Sequence, residues 1–115
     1  MIQLYVYKRN FEVQKAERWL KERRLPYQTV DLKKHRLGRR ELELFARAAG
    51  HMALVDREQE AVKSHPIAYT PDAGRMLDYL SERPDFLRTP ILRDGQKVMV
   101  GFDEKTLAGW MNQTT

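Results

Sequence analysis

Apolar and polar positions alternate over residues 1–8, which predicts a strand. The alternation breaks at Lys8, Arg9, Asn10 and Phe11. Beyond it Val13, Ala16 and Leu20 fall three and four residues apart with Trp19 beside them, so a helix starts near Asn10 or Phe11 and runs to about Arg24. Pro26 ends this region, because the residue ahead of a proline avoids helical geometry. Residues 27–32 read as a second strand, and a strand, helix and strand spaced this closely predict a right-handed parallel crossover.

A basic, turn-prone connection over 33–38 leads into a second helix at 39–49, with Leu42, Phe45, Ala46 and Ala49 on one side. Gly50 stands where a left-handed C-terminal cap belongs. Residues 52–63 are read as helical, although Glu58, Gln59 and Glu60 leave few apolar positions, and His65-Pro66 interrupts them. Thr70 and Pro71 predict a fresh start, with Thr70 as N-cap and Pro71 at the first helical position. Ala73, Met76, Leu77 and Leu80 give that helix its core face, and Pro84 closes it. Asp94-Gly95 between two apolar runs favours a two-residue type I′ hairpin. Asp103 is then the expected cap of a last helix with Leu107, Trp110 and Met111 toward the core.

At 115 residues the chain is expected to form one domain over 1–115, large enough for a core without metal or disulfide staples. It contains no cysteine, which removes sulfur redox chemistry. No apolar run approaches the roughly 18 residues of a membrane span. No leader peptide is visible either, so a cytoplasmic protein without membrane contact is the expectation. The net charge of +5 is uneven: residues 1–50 carry 13 lysines and arginines against 6 acids, and residues 51–115 carry 8 against 10. That asymmetry points to an electropositive surface facing an acidic partner.

The segment Tyr5-x-x-Lys8-x-Asn10-Phe11-x-x-Gln14-Lys15-Ala16 resembles the active-site segment of the arsenate reductase (ArsC)/Spx family. The resemblance continues through Leu25, Pro26 and Tyr27 to Leu32, and again at Leu87, Arg88, Thr89, Pro90, Ile91 and Leu92 and from Val98 to Asp103. It implies an α/β, thioredoxin-like fold of glutaredoxin type. That fold is a four-stranded mixed sheet flanked by helices, with residues 38–86 as a helical insert between its βαβ and ββα halves. It also implies that Pro90 is cis. On the family pattern Asn10 occupies the place of the nucleophilic cysteine, and Val13 that of the second cysteine of the Spx-type pair.

Asn10 has two readings: a former catalytic position that still binds an anion or polar group at a helix N-terminus, or simply the N-cap, for which Asn is among the best residues. An amide is neither a useful nucleophile nor a redox couple at neutral pH. Arsenate reductases of this family hold the oxyanion with several arginines, one of them directly before the cis-proline. Here Thr89 stands at that position and Arg88 one residue earlier; the insert's arginine maps onto Asp56 with Arg57 adjacent, and a third maps onto Val100. The resemblance thus implies a vestigial anion or ligand site made of Lys8, Asn10, Phe11, Arg57, Arg88 and Thr89. Arsenate reduction is disfavoured twice, by the missing thiol and by displaced guanidinium forks.

Arg23, Arg24, Lys33, Lys34, Arg36, Arg39 and Arg40 are candidates for a basic partner-binding face, or for a merely solvated one. Nucleic acid is the weaker reading, because no aromatic interleaves the basic run for base stacking. His35, His51 and His65 are scattered and lack the company of a metal site, so surface or loop positions and neither metal nor cofactor are expected. The leading functional expectation is a non-catalytic protein-binding or regulatory module. Spx-like relatives bind the C-terminal domain of the RNA polymerase alpha subunit, which makes transcription machinery one partner class. The alternatives are an oxidoreductase or transferase using an external thiol such as glutathione, and nucleic-acid binding through the basic half.

Overall fold

The computed structural model describes residues 1–112. Its elements are β1 (Ile2–Val6), α1 (Phe11–Glu22), β2 (Tyr27–Asp31), α2 (Arg39–Ala49), α3 (Glu60–Lys63), α4 (Ala73–Glu82), β3 (Ile91–Asp94), β4 (Lys97–Val100) and α5 (Glu104–Asn112). The strands form one mixed sheet in the order β2-β1-β3-β4, with β1 and β2 parallel and the other pairs antiparallel. This is the α/β, thioredoxin-like arrangement, and helices cover both faces.

Side-chain alternation on the strands divides the core in two. Ile2, Leu4 and Val6 of β1 and Leu92 of β3 point to one face, where they meet Val13, Ala16, Trp19 and Leu20 of α1 and Leu107 and Trp110 of α5. Tyr5 and Ile91, one residue out of phase, point to the other face and pack under Leu42 and Phe45 of α2 and Met76, Leu77 and Leu80 of α4. The period-two pattern of the strands and the helical stripes therefore determine a sandwich with the sheet in the middle.

Helix α1 ends in a Schellman motif: the Leu25 N–H donates to the Leu20 carbonyl at 3.0 Å and the Arg24 N–H to Lys21 at 3.1 Å. Arg24 takes the left-handed position with φ +54°, a place that glycine fills more cheaply. Among the described residues no helix is long and apolar enough to cross a membrane.

The insert departs from its sequence reading. Residues 52–63 are not one helix. A 3₁₀ turn (His51–Leu54) gives way to an extended stretch and then to the four-residue α3. The stretch is extended because Val55 bridges Leu87: the Asp56 N–H donates to Phe86 and the Arg88 N–H to Leu54, each at 2.8 Å. Helix α4 starts at Ala73, capped by Asp72, whose carboxylate accepts from the Arg75 N–H at 2.9 Å. Thr70 instead donates its hydroxyl to the Pro66 carbonyl, and the Pro71 carbonyl lies 3.1 Å from His51 Nε2. A carboxylate two residues later displaces Thr70 because it puts full negative charge at the helix's positive end.

Two turns differ as well. Asp94 pairs with Lys97, so the hairpin loop is Gly95-Gln96 with positive φ at Gly95 alone, the type II′ pattern and not I′. Gly50 has φ +86° but ψ 138°, which is extended and not left-handed helical. His65 is no idle loop residue: its Nδ1 accepts from the Ile67 N–H, and its ring sits edge-on between Tyr79 and Phe86.

Candidate functional site

The N-terminus of α1 lies beside the loop that leads into β3. Asn10 is the N-cap. Its Oδ1 accepts from the Val13 N–H at 2.9 Å, and its Nδ2 donates to the Thr89 carbonyl at 3.1 Å. The Thr89–Pro90 peptide is cis. The amide thus joins the helix start to the segment before β3, with both its ends engaged.

Glu12, two residues along, makes a second joint. Its Oε2 accepts from the Phe102 N–H at 2.8 Å and its Oε1 from Arg88 at 3.4 Å. A third bond, from the Gly101 N–H to the Pro90 carbonyl at 2.8 Å, closes the bracket. Gly101 has φ +80°, and a Cβ there would lie 2.7 Å from the Arg88 guanidinium and 3.1 Å from Glu12. The positive φ favours glycine at this point, and a side chain there would also make the ends of Arg88 and Glu12 shift.

Two clefts open on either side of Asn10 and Thr89. One, of about 580 Å³, is bordered by Glu12, Met52, Asp56, Arg57, Glu58 and Arg88. The other, of about 480 Å³, is bordered by Tyr7, Lys8, Asp56, Gln59, Asp85 and Leu87. Of the residues expected to form an anion site, Lys8, Asn10, Arg57, Arg88 and Thr89 are brought together here. Phe11 is not: its ring is 75% exposed and points outward. Val13 is fully buried against the α1-side core and does not reach the clefts.

The cations at the clefts are largely offset or engaged by protein groups. Arg88 is paired with Glu12, and Arg57 donates to the Ala68 carbonyl at 3.4 Å and contacts Met52 sulfur. Four carboxylates, Glu12, Asp56, Glu58 and Asp85, border the clefts against the three cations Lys8, Arg57 and Arg88. Asp85 stays ionised at neutral pH, because the bidentate Arg83 guanidinium holds its carboxyl below the usual range. With Arg83 offsetting Asp85 the charges at the clefts balance, and an incoming arsenate or phosphate would meet guanidinium groups at Arg57 and Arg88 that protein partners already engage. Among the described residues no cluster of acids and histidines is arranged to hold a metal ion.

Sequence reasoning missed the acidic lining and the role of Glu12. The substitution of Asp56 for an arginine was a visible signal of the first. Nothing local announced the second, since its partners lie 76 and 90 residues away.

The basic residues do not form one face. Arg23 lies over the Trp19 ring and pairs with Glu104, on the α1–α5 side. Arg36 donates to the Ser81 and Glu82 carbonyls, and Arg39 pairs with Asp78 and Glu43, on the α2–α4 side. The C-terminal carbonyls of α4 draw Arg36 in, as helix ends do with cations. Arg24, Lys33, Lys34 and Arg40 stay exposed.

Replacing Asn10 by alanine removes the cap and the tie to Thr89 together. A loss of about 1–2 kcal/mol in urea unfolding is expected, and Asn10→Asp should recover only the cap, since a carboxylate cannot donate to the Thr89 carbonyl.

Comparison with known proteins agrees with this layout. No curated protein matches the chain. Among solved structures, a YffB protein superposes with a TM-score of 0.84 at 22% identity, over 95% of this chain and 97% of its own. An arsenate reductase (ArsC) related protein from Brucella melitensis gives 0.72 at 23%, over 96% and 93%. The arsenate reductase from Vibrio cholerae gives 0.75 at 13%, over 84% and 86%. At these identities the likeness concerns the fold. The ArsC family pattern itself matches residues 5–109, and with that match over nearly its whole length the chain belongs to the ArsC family.

Proposed function

We propose that this ArsC-family chain is a non-catalytic module that works by binding another protein. The observation that carries the reading is the state of Asn10: the residue at the nucleophile's place has its amide oxygen on Val13 and its amide nitrogen on Thr89. It serves as a brace. A side chain so engaged can neither attack a substrate nor exchange with a disulfide, and the chain supplies no thiol elsewhere.

Two further features favour a macromolecular partner over a small anionic one. The carboxylates at the clefts offset the cations there, so neither arsenate nor the two carboxylates of glutathione would meet an excess of positive charge. At the same time Met52 borders one cleft and Phe11 stands exposed next to Asn10 at the start of α1; both are among the large apolar side chains most exposed to solvent, and both would be covered in a complex. Transcription machinery is the first partner class to examine, given the resemblance to Spx-type regulators.

Affinity capture from nuclease-treated lysate tests this. A stoichiometric protein partner, lost with a Phe11→Glu/Met52→Glu variant that still folds, is the expected result. Recovery of nucleic acid alone, or a partner insensitive to both substitutions, contradicts it.

A further inference from the structure

We propose that the outer edge of β2 accepts an extended acidic segment of a partner protein as a fifth strand of the sheet. This inference rests on the reading of the chain as a protein-binding module, and it names both the surface and the chemistry of what binds there.

Strand β2 lies at the end of the sheet and pairs only with β1. The Leu32 N–H donates to the Val6 carbonyl at 2.8 Å, so the backbone of Leu32 faces β1. By the two-residue period, Gln28 and Val30 face β1 as well, and the N–H groups of Tyr27, Thr29 and Asp31 face outward. The Tyr27 and Thr29 carbonyls face outward with them, whereas the Asp31 carbonyl is taken by the N–H groups of Lys34 and His35. None of the five residues of β2 is buried, while four of the five in β1 are. Unlike its neighbour, β2 is a strand with open backbone along its length.

Charge says what would fit. Lys8, Arg24, Lys33 and Lys34 are exposed and form no ion pair among the described residues. Arg24 lies three residues before β2, Lys33 and Lys34 come two and three residues after it, and Lys8 borders the same groove as Thr29, Asp31 and Lys33. Against them the strand itself carries one acid, Asp31. An extended segment with acidic residues toward its ends would gain backbone hydrogen bonds along β2 and Coulomb attraction at both ends. A second copy of this chain is a poor occupant, because antiparallel β2–β2 pairing centred on Thr29 would set Arg24 against Lys34.

Three of the basic residues that do not make a face, Arg24, Lys33 and Lys34, therefore do flank an edge. Lysines at an edge also discourage indiscriminate pairing. The proposal goes further, predicting selection by charge.

The probe is a synthetic ten-residue peptide of alternating threonine and valine with two glutamates at each end, titrated into the labelled protein. Saturable amide shifts at Tyr27, Thr29 and Asp31, with slowed exchange of those three amides, are the expected result. A lysine-ended counterpart should bind at least about tenfold more weakly at low salt. Thr29→Pro removes an outward N–H without touching the β1 ladder, so the fold should survive while binding is lost. Lys33→Glu/Lys34→Glu should weaken the glutamate-ended peptide by about tenfold or more and leave the fold intact. Failure of both peptides to bind, equal binding of the two, or shifts centred on Thr89 instead of Thr29 would overturn the proposal. A lysate partner captured equally by wild type and by Thr29→Pro would defeat the edge while leaving the protein-binding reading in place.

Discussion

Phe45→Ala should cost about 3–5 kcal/mol of folding free energy, the loss expected when a large aromatic is deleted from a filled core. Phe45 has no exposed surface, and the ring of Tyr5 meets it edge-on at 5.2 Å. The pair holds α2 to the sheet, and α2 in turn carries the insert that borders the clefts. Domains of this size have about 5–15 kcal/mol in total, so the variant should lose about a fifth or more of its stability. Urea unfolding followed by circular dichroism reads this directly. Tyr69→Ala is the control. Its ring is 79% exposed, and a change within about 0.5 kcal/mol is expected. A loss under 1 kcal/mol at Phe45 would mean that α2 is not anchored through the Tyr5 contact.

The second large effect is at Gly101. Alanine there must hold φ near +80° and place its Cβ 2.7 Å from the Arg88 guanidinium. The backbone cost alone is about 1–3 kcal/mol. To make room, the Arg88 guanidinium must also shift, which disturbs its contact with Glu12, the carboxylate that receives the Phe102 N–H. Gly95→Ala separates the two contributions, because Gly95 has φ +65° and nothing within 4 Å of its prospective Cβ. Both variants pay the conformational term. Only Gly101→Ala should shift the amides of Asn10, Glu12 and Thr89, and its stability loss should exceed that of Gly95→Ala. Equal losses with no shifts around Asn10 would show that the Glu12–Arg88 joint does not brace the site.

Much of this fold was legible in the chain because its elements are locally consistent. Val13, Ala16 and Leu20 recur at helical spacing, Ile2, Leu4 and Val6 at strand spacing, and each set found the face that its period implies. The same holds for Leu42 and Phe45 in α2 and for Leu107 and Trp110 in α5. The insert was less legible because Leu54, Val55, Val62 and Ile67 follow no single period. Their conformation is imposed from outside, by the bridge from Val55 to Leu87 and by His65 capping the turn at Ile67. Long-range partners override weak local preference in such a segment.

At the site, the helix start and its cap could be read from residues 10–13 alone. The bond from Asn10 to Thr89 spans 79 positions and has no local signature. Basic residues close in sequence were a weaker guide still. Arg23 and Arg39 lie on opposite sides of the sheet because α1 and α2 pack on opposite faces. Only Arg24, Lys33 and Lys34 of that set flank the edge strand.

The most direct measurement is an amide-shift titration with arsenate and with glutathione, run in parallel on the wild-type chain and on Asn10→Cys. With the amide braced and the clefts acid-lined, the wild type should show no saturable shifts at Lys8, Asn10, Phe11 or Thr89 and no arsenate turnover in the presence of glutathione. Asn10→Cys should form a mixed disulfide with oxidised glutathione, since a thiol at a helix N-terminus is activated there. Saturable binding at those four residues by the wild type, accompanied by turnover, would contradict the account at its centre.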